Sequence, residues 1–296
     1  MKLITEKKAS RIDKYLSEET EYSRSQIQKM IDAEYILVNN KKVKASDGLK
    51  IGDEITIKEG FIQPLDLKPE DIALKIAYED DDLMIIDKPS GMVVHPGNGQ
   101  HSGTLANALV HYTKSLSDVN GEFRPGIVHR IDKETSGLVI IAKNNKTHEL
   151  LAADLEKHLI NREYIALLVG EIPMDNATID APIGRDPKDR KKMTVTDMHG
   201  KAAITHLKVV QRYQGYTLVQ LNLETGRTHQ IRVHTKYIGY PVYNDPVYGK
   251  RMSDFGQFLH AGKLVFIHPK TKKEMIISSE LPSEIKEFLK TLKPLN

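Results

Sequence analysis

RPGIVHRIDKETSGLVIIAK, residues 124–143, holds the densest polar cluster of the chain and runs straight into a very apolar segment. Asp132 stands between Arg130 and Lys133, just ahead of the turn residues Thr135, Ser136 and Gly137. Cations beside a carboxylate favour its ionised form, and a carboxylate that acts as a nucleophile must be ionised. If the backbone is extended there, side chains alternate and Arg130 and Asp132 face the same side. An arbitrary Arg-x-Asp is ordinarily a surface ion pair at a strand entrance. This one means chemistry only in company.

Outward from this stretch, apolar runs predict strands at 83–87, 137–143, 164–169 and 217–223. Helical patterns cover 104–112, 147–159, 228–238 and 283–292, the last with Ile285, Phe288, Leu289 and Leu292 on one face. Strands and helices interleave without a regular βαβ period, so the class is α+β rather than a doubly wound sheet. This larger domain spans 76–296. A Pro-punctuated linker, 61–75, precedes it. Residues 1–60 form a small unit in which Ser23 caps a helix carrying Ile27, Met30 and Ile31, followed by strands at 35–38 and 54–57. Lys41, Lys42 and Lys44 lie on the turn-rich excursion between those strands, ordinarily a solvated face.

Three further segments carry candidate groups. LNLETGRTHQIRVHTKYIG, 221–239, has a Thr-Gly turn entering a helix with Arg227, His229, Arg232 and His234. Helix N-termini and arginines suit anions. The two histidines are five apart and do not share a face as an i, i+4 metal pair would, so each reads as structural. REYIALLVG, 162–170, alternates Tyr164 with Ala166 and Leu168; a strand tyrosine packs in a core, and its ring is also a platform for a flipped base. IGRDPKDRKKMTV, 183–195, is a basic loop between strand-like ends, where Arg185, Lys188, Arg190, Lys191 and Lys192 could track a phosphate backbone.

Composition sets the outer limits. With 296 residues, 40% hydrophobic and 28% charged, the chain has enough apolar material for two cores. The absence of cysteine excludes disulfides and cysteine-ligated zinc or iron–sulfur centres. No apolar leader and no run of about eighteen apolar residues is present, which predicts a cytoplasmic protein that does not span a membrane. A net charge of +3 permits an RNA partner without demanding one.

Together these segments resemble the pseudouridine synthases that act on large-subunit ribosomal RNA, in the RluA/RluD branch. DKPSGMVVHPG, GTLANALVHY, HRIDKETSG, REYIALLVG, GRDPKDRKKM, ETGRTHQIRVH and FLHA occur in that family's order from about residue 76 onward. HRIDKETSG is the most specific of them. SRSQIQKMIDAEYILVNNKKV, 23–43, is similar to the S-four-type RNA-binding module.

The resemblance implies a mixed, mainly antiparallel central sheet and an isomerase of RNA uridine, most simply in ribosome biogenesis. It implies Asp132 as the essential carboxylate and Arg130 as the arginine that fills the gap left by a flipped nucleotide. Tyr164 would stack on the target base, Arg232 would salt-bridge Asp132 (with Arg227 a competitor), and Leu259 would form an apolar floor. Ile131 stands where leucine is commoner. A target of the helix sixty-nine type in large-subunit rRNA or a pre-ribosomal particle follows, with no cofactor or metal and no call for a dimer.

The chemistry suits the residues. Pseudouridine formation breaks N1–C1′ and rejoins uracil through C5, after the base has left its stack at a cost of a few kcal/mol. Hydrolytic glycosidases use two carboxylates, whereas one framed carboxylate in a site that excludes water fits an isomerase. Whether the carboxylate attacks C1′ or abstracts a sugar proton stays open. So do a glycosylase using Glu134 as second acid and a non-catalytic ribosome-assembly factor.

Overall fold

A computed structural model describes residues 2–20, 22, 24–58, 67–97, 100–120, 124–189 and 192–295. The chain divides into two compact units, Met1–Leu65 and Asp66–Asn296. Ser23, Arg190, Lys191 and the first part of the expected linker, 61–66, lie outside the described residues.

In the first unit, β1 (Lys2–Ile4), α1 (Ile12–Glu19), α2 (Arg24–Asp32), β2 (Ile36–Val38) and β3 (Glu54–Ile57) follow in order. The strands form an antiparallel sheet ordered β1-β3-β2. The predicted stripe of Ile27, Met30 and Ile31 is buried against Ile12, Tyr15 and Leu16 of α1. Helix α1 is not announced by the sequence pattern. Arg11 at its N-cap makes no side-chain capping bond, so the usual start signal is missing. Its buried Asp13 is held instead by Arg11 and Arg24 at 2.9 and 2.8 Å. Hydrogen bonding to Arg11, ahead of that to Arg24, keeps this carboxyl well below the usual range. Lys41, Lys42 and Lys44 are exposed.

The second unit begins with β4 (Ile76–Glu79), β5 (Leu83–Lys88), α3 (Leu105–Tyr112), β6 (Ser136–Ala142), α4 (Asn145–Glu156) and β7 (Asn161–Val169). Then come β8 (Asn176–Asp180), β9 (Ile183–Arg185), β10 (Met193–Val195), β11 (Ile204–Tyr213) and β12 (Tyr216–Leu223). It closes with α5 (Gln230–Tyr237), β13 (Leu259–Ile267), β14 (Glu274–Ser278) and α6 (Ser283–Thr291). Nine strands make one sheet, ordered β4-β5-β6-β13-β7-β12-β11-β8 with β14 on β13; β9 and β10 pair separately. Among the described residues only β6 and β13 run parallel, so the sheet is mixed and mainly antiparallel, as the resemblance implies. The expected linker is a linker only in part. Leu67 packs into the main core, and the Asp87 amide donates to the Lys75 carbonyl at 2.8 Å.

Two helix starts in this unit carry side-chain caps. Thr104 and Asn107 form a capping box for α3, and Asn144 accepts from Thr147 N–H to start α4. Strands β4, β8, β11, β13 and β14 go beyond those the apolar runs predict. In β13 the register shifts between Ala261 and Lys263, which breaks the alternation that would have announced it. In β11 the outer half alternates among partly exposed residues. Gly137 is where β6 meets β13. Its φ is +111°, and a Cβ there would lie 2.3 Å from the Ala261 carbonyl oxygen, so only glycine fits. That junction lies at the end of the loop carrying Asp132. The main core runs on beneath it, through Ile131, Tyr164, Ile231 and Leu259.

Candidate active site

The Asp132 loop is not an extended strand but an irregular segment stapled from outside. Lys88, fully buried, donates from Nζ to the carbonyls of Pro89, Met92 and Lys133 at 2.8, 2.8 and 3.1 Å. Burial draws its pKa down to about 7, against the pull of Asp132 and Glu134. Gly91 N–H donates to the Lys133 carbonyl at 2.9 Å and Ser90 Oγ to that of Glu134 at 2.9 Å. Gln257 Nε2 holds Thr135 Oγ1 at 2.6 Å.

The second wall is the ETGRTH turn and α5. The helix starts later than the sequence suggests, because His229 sits at its N-cap with φ 57°. Gln230 locks the turn: its Oε1 accepts from Thr225 Oγ1 at 2.8 Å and from Arg227 N–H at 2.9 Å. Arg232 then donates from Nη1 to Asp132 Oδ2 at 2.8 Å. Behind it, fully buried Asp245 receives Nε and Nη2 of the same guanidinium at 2.7 and 2.9 Å. Asp245 Oδ1 also accepts the amides of Val247 and Tyr248 at 2.8 and 3.0 Å. Burial opposes charge on Arg232, but hydrogen bonding to Asp245 and the fields of both carboxylates outweigh it and raise its pKa. Asp245 is likewise opposed by burial and lowered on balance by Arg232. The guanidinium lies 5.0 Å from the Tyr248 ring centroid.

Between these walls is a cavity of about 330 Å³ lined by Arg130, Asp132, Tyr164, Arg232 and Leu259 together. All five residues to which the resemblance assigns a place in the site meet there. Arg130 is exposed at the opening, its Nη1 3.4 Å from Nε2 of buried His95. Burial first, then Arg130 and Arg124, push His95 down to about 4, which leaves it neutral. Burial raises the Tyr164 hydroxyl.

The geometry sorts the alternatives that the sequence left open. Arg232, not Arg227, reaches Asp132; Arg227 Nε donates to the Ala202 carbonyl. Glu134 does not line the cavity, whereas Glu156, which no sequence motif marks, does from an exposed position. His234 is structural, between Thr205 Oγ1 and the Ala181 carbonyl at 2.9 Å each. His229 is not. It lines the cavity, pairs through Nδ1 with the Tyr248 hydroxyl at 2.8 Å, and brings Nε2 to 3.9 Å from Asp132 Oδ1. Asp245 and Tyr248 escape sequence reasoning because NDPVYG, 244–249, looks like a plain turn. Among the described residues, Asp80, Asp82 and His268 form the one group with ligand atoms clustered within 4.8 Å. Those atoms already bond to one another and to Tyr78 and Lys270, and none lines the cavity.

A family model described as RNA pseudouridylate synthase matches residues 82–237, and an S4 domain model matches residues 10–55. A Bacillus subtilis (strain 168) protein named "Uncharacterized RNA pseudouridine synthase YlyB" is 48% identical, covering 97% of this chain and 96% of its own length. The Escherichia coli (strain K12) "Ribosomal large subunit pseudouridine synthase D" is 38% identical, over 96% of this chain and 90% of its own. In fold, "Human RNA Pseudouridylate Synthase Domain Containing 1" superposes with a TM-score of 0.60 at 24% identity, over 76% of this chain and 89% of that one. The chain thus belongs to the RNA pseudouridylate synthase family, isomerases that convert uridine in RNA to pseudouridine. It carries an S4-type RNA-binding unit before the catalytic one. Among the described residues no helix is long and apolar enough to cross a membrane.

Proposed function

We propose that this enzyme isomerises uridines in large-subunit ribosomal RNA, of the helix sixty-nine type, with Asp132 as its catalytic carboxylate. One observation carries the reading. Asp132, fixed at 2.8 Å from Arg232, shares a single cavity with Tyr164, Arg130 and Leu259. The flipped uracil lies on the Tyr164 ring above Leu259, while Arg130 at the opening occupies the gap left in the RNA. Arg232, clamped from behind by Asp245, keeps Asp132 oriented toward the sugar and balances its charge. The N1–C1′ bond breaks, C5 bonds to C1′, the C5 proton leaves to water, and N1 takes up a proton in its place, so the product is an isomer of the uridine. Asp132 assists by trapping C1′ or by taking a sugar proton.

The ribosomal target is supported by full-length relatives named ribosomal large subunit pseudouridine synthase D. The exposed lysines of the first unit would hold the phosphate backbone of that rRNA, free or in a pre-ribosomal particle, with the enzyme acting as a cytoplasmic monomer. Ribosomal RNA tritiated at uracil C5 tests the reading. Tritium should appear in water from an unbroken chain, also in a chelator that strips divalent ions, and Asp132→Asn should stop it. Labelled free uracil would make the enzyme a glycosylase. Turnover by a clean Asp132→Asn preparation would remove Asp132 from the chemistry, and comparing pseudouridines in cells with and without the protein locates the target.

A further inference from the structure

Arg162 and Tyr164 are two apart near the start of β7, so both side chains leave the strand on the same face, and both line the cavity. Arg162 is 8% exposed. Among the described residues no carboxylate pairs with it. Its Nη2 reaches the Thr225 carbonyl at 3.5 Å, and its buried Nε has no hydrogen-bond partner. Glu156 lines the same cavity but is exposed and makes no ion pair with it. The turn glycine Gly226 makes room for the guanidinium: a Cβ there would lie 2.8 Å from Arg162 Nη1. Arg232, equally buried, is gripped by two carboxylates.

A buried cation with no counter-charge destabilises the free protein, and an arriving anion relieves that. Uracil is neutral; the negative charge that a nucleotide brings is its phosphodiester. With a rise of about 3.3 Å per residue, Arg162 and Tyr164 are roughly 6–7 Å apart along the strand, about the reach from a base to the phosphate of its own nucleotide. The neighbouring His129 does not compete for that anion. Burial, then the charge of Arg162, pushes it down to about 3 and keeps it neutral.

We infer that Arg162 binds the phosphodiester adjoining the uridine whose base lies on Tyr164, a positioning contact inside the cavity and separate from the surface lysines. This rests on the reading that a uridine of RNA enters this cavity. The test uses Arg162→Met and Arg162→Lys in the full chain. In phosphate-free buffer Arg162→Met should unfold at or above the wild-type temperature, since it removes an unpaired buried charge. Adding inorganic phosphate, against chloride at matched ionic strength, should raise the melting temperature of wild type and Arg162→Lys more than that of Arg162→Met. With C5-tritiated ribosomal RNA, Arg162→Met should raise KM at least tenfold with a smaller change in kcat. The log KM against log salt slope should fall by roughly one unit. A markedly lower melting temperature for Arg162→Met together with an unchanged phosphate response would make Arg162 a structural residue and overturn the inference, as would an unchanged salt slope. If wild type releases no tritium, the isomerase reading fails, yet the phosphate response still decides the role of Arg162.

Discussion

Replacing Asp245 by Asn should damage the enzyme in a way that replacing Asp132 does not, although both carboxylates bind one arginine. Asp245 is fully buried and takes two hydrogen bonds from Arg232 and two from backbone amides, whereas the Asp132 side chain is 19% exposed and takes one from Arg232. Breaking a buried ion pair from one side costs about 3–5 kcal/mol. Asp132 remains as a partner and an Asn oxygen can still serve the two amides, which trims this to about 2–4 kcal/mol. For a domain of this size that is a fall of roughly 6–12 °C in Tm. Arg232 would also lose its anchor, and a loosened catalytic contact costs on the order of 10- to 100-fold in kcat. Asp132→Asn leaves the Asp245 clamp intact. Its stability should move by less than about 1 kcal/mol while turnover vanishes. Thermal unfolding and tritium release, measured on both variants, check this. An Asp132→Asn protein as unstable as Asp245→Asn, or an Asp245→Asn protein with wild-type Tm and kcat, would refute the division of labour.

Stability should fall on acidification because His129 and His95 are held neutral, at about 3 and about 4, while the unfolded chain titrates near 6.5. Protons therefore favour unfolding as pH drops below 6.5, by about 2 kcal/mol for His129 between pH 7 and 5. Denaturant titrations at the two pH values should show His129→Gln losing that much less than wild type, and equal losses would count against it. Gly137→Ala should destabilise by more than about 2 kcal/mol, since it adds both a positive φ and a backbone clash at the β6–β13 junction. An unchanged denaturation midpoint would contradict the close approach. Changing Lys41, Lys42 and Lys44 to Gln should flatten the salt dependence of rRNA binding by roughly one unit for each phosphate no longer neutralised, with kcat at saturating RNA unaltered. A slope equal to wild type would mean the hairpin does not touch RNA.

Local pattern decided much of this protein. Apolar runs located β5, β6, β7 and β12, and helical spacing located α3 through α6, because those signals lie within a few residues of one another. The motif residues Asp132, Arg130, Tyr164, Arg232 and Leu259 were also legible, since family motifs are contiguous. The strands that complete the sheet were not. Bulged β13 and half-exposed β11 are strands only because neighbours pair with them. The choice of Arg232 over Arg227, the retreat of Glu134 and the entry of His229 likewise depend on how loops far apart in sequence face one cavity. Asp245 is the clearest case. Its place 13 residues beyond Arg232 announces nothing. A buried charge pair is made by the tertiary packing that removes water from both partners, and no local sequence signal records that.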